Sequence, residues 1–126
     1  CKRIQDQLEN IGRIDVCLVG LGMNGHLALN EPAGFLEPDI HVAILPAASL
    51  THSMVLDMNK KPSYGLTLGM RSILESELIV MLVNGKKKKE IARAFLSGKV
   101  TTQLPASFLW LHPNVICCID REAYSN

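Results

Sequence analysis

The segment Gly20–Pro32 (GLGMNGHLALNEP) concentrates the residue types that perform acid/base chemistry. Its first six positions include three glycines, which let the backbone turn sharply and approach a ligand closely. His26 and Glu31 follow five residues apart, and Asn24 precedes the histidine by two positions. A carboxylate and an amide beside an imidazole can fix its tautomer and tune its charge near neutral pH. The segment therefore predicts a general acid/base site.

The glycine spacing in this segment also allows two other interpretations. Gly20, Gly22 and Gly25 nearly match the fingerprint of dinucleotide-binding turns. Polar side chains at positions 24, 26, 30 and 31 would crowd a pyrophosphate at the start of a helix, which disfavours a nicotinamide site. A glycine turn with a histidine packed beneath it is the simpler alternative. No cofactor and no metal are expected.

A run of four lysines, residues 86 to 89, is the other charged feature that follows a predicted strand. Such a run at the start of a helix is typical of a solvated face. A lysine in this place also adds its charge to the free backbone N–H groups of the first helical turn, which makes it a reasonable anion ligand.

Short apolar runs alternate with helical patterns, and these elements must position the polar segments. Ile14–Gly20 is a continuous apolar run with glycines at its end, typical of a central parallel strand buried on both faces. Glu77–Val83 is another predicted buried strand, closed by Asn84 and Gly85. The alternation predicts an α/β fold with a mainly parallel, Rossmann-like sheet and helices on both faces. Ligands collect at the carboxyl ends of such strands, so both polar segments are expected at one edge. Further strands are predicted at His41–Leu45 and Val115–Asp120, and helices within Cys1–Asn10, Ala47–Asp57, Gly65–Glu75, Lys86–Leu96 and Pro105–His112.

Length, composition and charge exclude several classes of protein. The 126 residues suffice for one core, and 48% hydrophobic with 20% charged residues is typical of a soluble globular domain. A net charge of +1 creates no field that would collect nucleic acid or an anionic membrane. The apolar runs are too short to span a bilayer and no leader opens the chain, which predicts a cytoplasmic protein. The cysteines at positions 1, 17, 117 and 118 lack CxxC spacing and are expected to be buried, reduced thiols.

GLGMNGHLALNEP resembles the GxGxDGHxAFNEP segment of the glucosamine-6-phosphate deaminase/isomerase family, whose other branch is the 6-phosphogluconolactonases. The similarity continues through GLTLGMRSILESELIVMLVNGKKKKEIARAFLSGKV and PASFLWLHPNVICCID, so it covers nearly all of Ile14–Asp120. NGHLALNEP together with PASFLWLHPN is most similar to the galactosamine-6-phosphate isomerases of this family. The resemblance implies that residues 1–126 are the C-terminal half of a larger single domain. It also implies conversion of a 2-amino-2-deoxyhexose 6-phosphate to a ketohexose 6-phosphate and ammonia.

The resemblance implies a role for four residues. His26 would open the sugar ring by proton transfer to the ring oxygen, and Glu31 would orient and charge the imidazole. Asn24 stands where the family usually has aspartate, so it can accept a hydrogen bond and set a tautomer but adds no negative charge. Lys88 corresponds to the family's lysine that contacts the sugar phosphate, which leaves the other three lysines to solvent.

Some family features have no counterpart in this sequence. A phosphate-directed arginine expected within Ala47–Asp57 is replaced by Val55 or a neighbour, and His52 is the nearby group that could offer a proton. The family's phosphate loop and the aspartate that moves a proton between carbons 2 and 1 belong to the first half of the domain. The chain therefore holds half an active site. Its sheet should expose an apolar patch, or pair with another copy through it.

Two alternative functions remain open. A lactonase-type hydrolase would use His26 as a base to activate water, although the sequence NEP disfavours it. A non-catalytic sugar-phosphate binder would fit the asparagine at position 24 and the absent half. The expected partner in each case is a small-molecule sugar phosphate, with no nucleic acid and no membrane, and a homo-oligomer is compatible with the sequence.

Overall fold

The computed structural model of the chain describes residues 1–45 and 62–124. The helices are α1 (Lys2–Ile11), α2 (Met70–Leu74), α3 (Lys89–Leu96) and α4 (Arg121–Tyr124), with 3-10 turns at Lys86–Lys88 and Pro105–Leu111. The strands are β1 (Val16–Gly20), β2 (His41–Ile44), β3 (Tyr64–Thr67), β4 (Leu78–Val83) and β5 (Val115–Ile119). The helix predicted within Ala47–Asp57, with His52 and Val55, lies outside the described residues.

Three strands form the main sheet, in the order β1-β4-β5, and both pairs are parallel. Val16 pairs with Leu78, and Ile79 pairs with Val115. The predicted α/β fold with a mainly parallel sheet is confirmed, as is the adjacency of the three apolar runs. Parallel strands need crossover connections, and the segment between β4 and β5 contains α3 and the Pro105–Leu111 turn. The carboxyl ends of β1 and β4 consequently meet at one edge.

One face of this sheet forms the core. Cys17, Ile79, Met81 and Val83 are at most 6% exposed. They belong to one cluster with side chains from α2, α3 and the Pro105–Leu111 turn, and Phe95 of α3 is 4% exposed. Burial of these apolar side chains fixes the orientation of β1 and β4, because a one-residue shift would turn every side chain to the other face.

The opposite face, which we call the bare face, is apolar but open. Val16, Leu18, Leu82 and Ile116 point to it and are 46–65% exposed. The expectation that Ile14–Gly20 is buried on both faces is therefore wrong within the described part of the chain. A continuous apolar run indicates that both faces can be buried, but it does not supply the element that covers the second face. The apolar patch expected of half a domain is present.

A second, two-stranded sheet pairs β2 with β3 in antiparallel orientation, and Ile44 lies opposite Tyr64. The strand predicted at His41–Leu45 is confirmed. The segment Gly65–Glu75 was expected to lead into a helix, and only its second part does so, as α2. Its first part is strand, because Leu66 and Thr67 alternate between outward and inward positions across from β2.

The cysteines correct a further expectation. All four are free thiols, but Cys1 and Cys118 are exposed, Cys117 is half-buried and Cys17 is buried. Cys118 lies on the bare face, which explains why an apolar strand leaves it accessible. Burial raises the pKa of the Cys17 thiol above its usual value. Among the helices of residues 1–45 and 62–124, none combines the length and the apolar character that a membrane span requires.

Candidate active site

The connection after β1 begins as a continuation of the sheet and then turns back on itself. The Leu21 backbone N–H donates to the Leu82 carbonyl at 3.3 Å, which extends the β1-β4 pairing by one residue. The Gly25 N–H donates to the Gly22 carbonyl at 3.0 Å, and the Gly22 N–H donates to the His26 carbonyl at 2.9 Å. This closed loop holds His26 at the carboxyl edge of the sheet, where open α/β sheets bind their ligands.

Asn24, His26 and Glu31 make direct contacts with one another. The His26 Nδ1 lies 2.8 Å from the Asn24 Oδ1. The Asn24 Nδ2 donates to the Glu31 Oε2 at 2.6 Å, and the Glu31 Oε1 lies 3.4 Å from the His26 Nδ1. The side chains of His26 and Glu31 are 27% and 22% exposed, so the cluster is partly shielded from water but remains accessible.

The contacts of Asn24 define the orientation of its amide. An ionised carboxylate only accepts hydrogen bonds, so the NH₂ of Asn24 must face Glu31 and its oxygen must face His26. The backbone N–H of His26 donates to the same oxygen at 3.3 Å, which independently requires that orientation. A neutral His26 therefore holds its proton on Nδ1 and its lone pair on Nε2. In this tautomer the nitrogen that can accept a proton is Nε2, and the Glu31 carboxylate lies near enough to compensate a positive charge on the ring.

Gly22 makes room for the imidazole. A Cβ atom at this position would lie 2.3 Å from the His26 Nδ1 and 2.4 Å from two ring carbons, closer than any van der Waals contact allows. The ring therefore packs directly against the glycine backbone. From the sequence, Gly22 was identified only as part of a sharp turn, because spacing cannot show which side chain lies over a glycine.

The return from His26 to Glu31 is anchored to the second sheet. Leu27 is fully buried, and the Asn30 Nδ2 donates to the carbonyls of Leu27 and Leu68, both at 2.9 Å. The Leu29 N–H donates to the Thr67 Oγ1 at 3.1 Å. These bonds hold the turn so that Glu31 folds back against Asn24. The sequence indicates a capping role for the Thr67 hydroxyl, but it cannot show that Thr67 and Leu68 support this loop, because they lie far from it along the chain.

Lys88 reaches the same connection from the neighbouring strand. Its Nζ donates to the backbone carbonyl of Leu21. Two hydrogen bonds position Lys88 after β4. In the 3-10 turn, the Lys88 N–H donates to the Gly85 carbonyl at 2.9 Å. The Gly85 N–H in turn donates to the Asp120 Oδ2 at 2.8 Å. Burial lowers the pKa of Lys88, because desolvation disfavours the charged amine.

Two of the other lysines in the run are more exposed than Lys88. Lys86 and Lys87 are exposed, and Lys89 is half-buried at the start of α3. The structure thus brings together His26, Asn24 and Glu31 and places Lys88 against their loop. Within the described ranges, no group of three or more histidine, cysteine or acidic side chains could hold a metal ion.

A family model and the curated relatives place the chain in the same family. Residues 1–117 match the family model described as glucosamine-6-phosphate isomerases/6-phosphogluconolactonase. The chain is 42% identical over 120 residues to AgaI of Escherichia coli (strain K12), a candidate deaminase, covering 95% of this chain and 48% of that protein. It is 35% identical over 127 residues to the glucosamine-6-phosphate deaminase of Thermoanaerobacter pseudethanolicus, covering 99% and 50%. The chain spans about half the length of the curated relatives it matches.

Solved structures give the same result for the fold. A monomeric glucosamine-6-phosphate deaminase superposes with a TM-score of 0.92 at 35% identity, covering 99% of this chain and 53% of that one. The 6-phosphogluconolactonase of Trypanosoma brucei superposes with a TM-score of 0.71 at 22% identity, covering 97% and 50%. At that identity the likeness shows a shared fold and nothing about the reaction.

Proposed function

Because the chain belongs to the glucosamine-6-phosphate isomerase/6-phosphogluconolactonase family, we propose that it forms part of an amino-sugar-phosphate deaminase. The reaction would convert a 2-amino-2-deoxyhexose 6-phosphate and one water molecule to a ketohexose 6-phosphate and ammonia, with the water oxygen becoming the ketone oxygen where the amino group leaves. The observation that supports this best is the contact of His26 with Asn24 and Glu31 at the carboxyl edge of the sheet. Relatives with 35% identity over nearly the whole chain are named glucosamine-6-phosphate deaminases.

His26 would act at the ring-opening step. Opening a cyclic sugar requires loss of the proton from the hydroxyl on carbon 1, cleavage of the bond between carbon 1 and the ring oxygen, and addition of a proton to that oxygen. The Nε2 of His26 would take the first proton and deliver it to the ring oxygen, so no proton is gained or lost overall. Glu31, 3.4 Å from the Nδ1, would stabilise the imidazolium that exists between the two transfers.

Lys88 would bind the substrate phosphate. Its ammonium group lies beside the loop of His26, so a hexose bound with its ring at His26 could extend its phosphate toward the amine. A charge-assisted hydrogen bond to a phosphate oxygen is the strong kind of polar contact. No cofactor is needed for ring opening or phosphate binding, since they involve proton transfer, cleavage of one carbon–oxygen bond and an anion contact.

Galactosamine 6-phosphate is the substrate that we propose in preference to glucosamine 6-phosphate. The support comes from the sequence segments NGHLALNEP and PASFLWLHPN, which resemble the galactosamine-type members. The first segment contains His26, Asn24 and Glu31, and the second contains the Pro105–Leu111 turn, whose Ala106 N–H donates to the Gly25 carbonyl at 2.9 Å. The two segments are therefore in contact, so substitutions in the second can affect the loop of the first.

The active unit would be the complete domain, by which we mean this chain joined to the other half that its relatives contain. The bare face supports this proposal, because Val16, Leu18, Leu82 and Ile116 present an apolar surface that a packed layer would bury. The solved deaminase that resembles this chain is described as monomeric and is nearly twice as long. We therefore propose the rest of the same domain, rather than a second copy, as the partner for the bare face.

The activity is tested by assaying the complete domain with galactosamine 6-phosphate, glucosamine 6-phosphate and 6-phosphogluconolactone. We expect ammonia release from the amino sugars, faster with galactosamine 6-phosphate, and no lactone hydrolysis. The His26→Ala variant serves as the matched control. Lactone hydrolysis without ammonia release would overturn the deaminase in favour of a hydrolase. Saturable binding of the sugar phosphates without turnover would favour a non-catalytic binder.

The half-domain proposal has a separate test that uses cysteine alkylation mapped by mass spectrometry. In this chain alone, Cys118 on the bare face should react quickly, whereas Cys17, which is 6% exposed and has a raised pKa, should resist. In the complete domain, Cys118 should become protected at least tenfold while Cys17 stays unreactive. Equal reactivity of Cys118 in both proteins would show that the other half does not cover the bare face.

A further inference from the structure

Lys88 makes a contact that phosphate binding does not require. Its ammonium donates to the carbonyl of Leu21, a residue 67 positions earlier in the chain and only 3% exposed. A carbonyl in such a buried residue needs a hydrogen-bond partner, and a charged donor is a strong one. The contact therefore ties the connection after β4 to the connection after β1.

The peptide unit that Lys88 contacts also supports His26. Leu21 is followed by Gly22, whose N–H donates to the His26 carbonyl at 2.9 Å and closes the loop. The Gly22 Cα faces the imidazole so closely that a Cβ would overlap the ring. A shift of the Leu21–Gly22 peptide must therefore move the surface on which the imidazole packs.

We propose that Lys88 is a positioning residue for His26, acting through the Leu21 carbonyl and the Gly22 backbone. The effect of Lys88 on the chemical step rests on the deaminase activity proposed above. Its effect on the loop geometry rests only on the contacts of Lys88 and Gly22. An ammonium has three N–H donors, so one can hold Leu21 while the others contact a phosphate. The same side chain would then bind substrate and hold the acid/base group in place.

This role changes the kinetics expected of a Lys88 variant. A group that only binds phosphate stabilises the bound substrate and the transition state equally, so its loss raises KM and leaves kcat unchanged. A residue that also positions His26 lowers kcat when it is lost, because a misplaced general acid/base transfers protons less efficiently. The Leu21 contact thus predicts that Lys88 affects both constants.

The first test uses this chain without any sugar and measures hydrogen exchange at the Gly22 amide. Lys88→Met removes the ammonium and keeps most of the aliphatic stem, Lys88→Arg keeps a charged donor, and the exposed Lys87→Met is the matched control. Lys88→Met should accelerate exchange at Gly22 by roughly tenfold or more, the loss expected for one hydrogen bond to a charged group. Lys88→Arg should restore most of the protection, and Lys87→Met should have no effect.

The amide of Ile79 provides an internal reference, because it lies in the packed core and donates to the Asn114 carbonyl. Acceleration at Gly22 well beyond that at Ile79 would support the proposal. Unchanged exchange at Gly22 in Lys88→Met would overturn the positioning role. Equal acceleration at Gly22 and Ile79 in both Lys88→Met and Lys88→Arg would also overturn it. Neither outcome depends on which reaction the protein catalyses.

The second test is kinetic and uses the complete domain with galactosamine 6-phosphate. Lys88→Met should lower kcat by about tenfold as well as raise KM, whereas Lys88→Arg should recover much of kcat. A raised KM with normal kcat would reject the positioning role and leave the phosphate contact. Absence of ammonia release from the unmodified domain would reject the deaminase proposal, while the exchange result would still decide the role of Lys88 in the loop.

Discussion

The connections after β1 and after β4 lie at the same edge of the sheet, but they position their polar groups differently. In the first, Asn24 and Glu31 are seven positions apart and bond to each other and to His26. In the second, the four consecutive residues all carry the same side chain, and Lys88 is the one whose ammonium contacts the Leu21 carbonyl. The cluster after β1 can thus be recognised from the spacing of its residues. Lys88 is distinguished from the neighbouring lysines by its contact with the connection that follows the adjacent strand, β1.

The largest effect should follow from removing the central group of the first connection. In the complete domain, His26→Ala should lower kcat for ammonia release by about 10²- to 10⁴-fold, the usual contribution of a general acid/base. KM should change little, because the imidazole is not the phosphate ligand. Steady-state kinetics measures both constants. A His26→Ala variant with normal turnover would mean that the cluster is structural, and the contrast between the two connections would lose its functional meaning.

A subtler change in the same connection is Gly22→Ala. The added methyl would lie 2.3 Å from the His26 Nδ1, so the ring must shift, and we expect kcat to fall by about 10- to 100-fold. Gly34→Ala is the matched control, since a Cβ there meets nothing within 4 Å. Equal activity of the two variants would contradict the close packing of the imidazole on Gly22.

Two glycines with similar φ angles allow the connections to be compared by stability alone. Gly25 has φ +87° and Gly85 has φ +88°, so alanine is strained at both. Gly85→Ala should lower the free energy of unfolding by about 1–3 kcal/mol from strain. Gly25→Ala should cost about 1–3 kcal/mol more, because its Cβ would lie 2.1 Å from the buried Leu104 Cδ1. Chemical denaturation measures the difference, and equal losses would mean that Leu104 relaxes without cost.

The smallest effects are expected from the exposed lysines of the second connection. Lys86→Ala and Lys87→Ala should each change kcat/KM by less than about twofold, as expected for solvated surface charges. The same assay at low and high salt separates a general attraction of the anionic substrate from a specific contact. A loss comparable to that of Lys88→Met would show that the run binds phosphate as a group.

Much of the fold and part of the candidate site could be predicted from the sequence. The runs that became β1, β4 and β5 are apolar throughout, and a buried parallel strand requires little else. Strand β3 was missed because Tyr64–Thr67 is short and its glycine weakens the pattern. The apolar run at β1 taken alone predicts burial on both faces, because an apolar side chain has the same type whether or not another layer covers it. The exposed apolar patch was predicted only from the half-domain resemblance.

The sequence by itself favoured a cluster of His26, Asn24 and Glu31, because bringing together residues only a few positions apart closes a short loop at small entropic cost. It did not determine that Gly22 lies beneath the imidazole, that Thr67 holds the return of the loop, or that Lys88 contacts Leu21. Those facts depend on which strands are neighbours and in which register. Register is fixed by burial of Cys17, Ile79 and Met81 against helices encoded elsewhere in the chain, so only the tertiary structure could decide them.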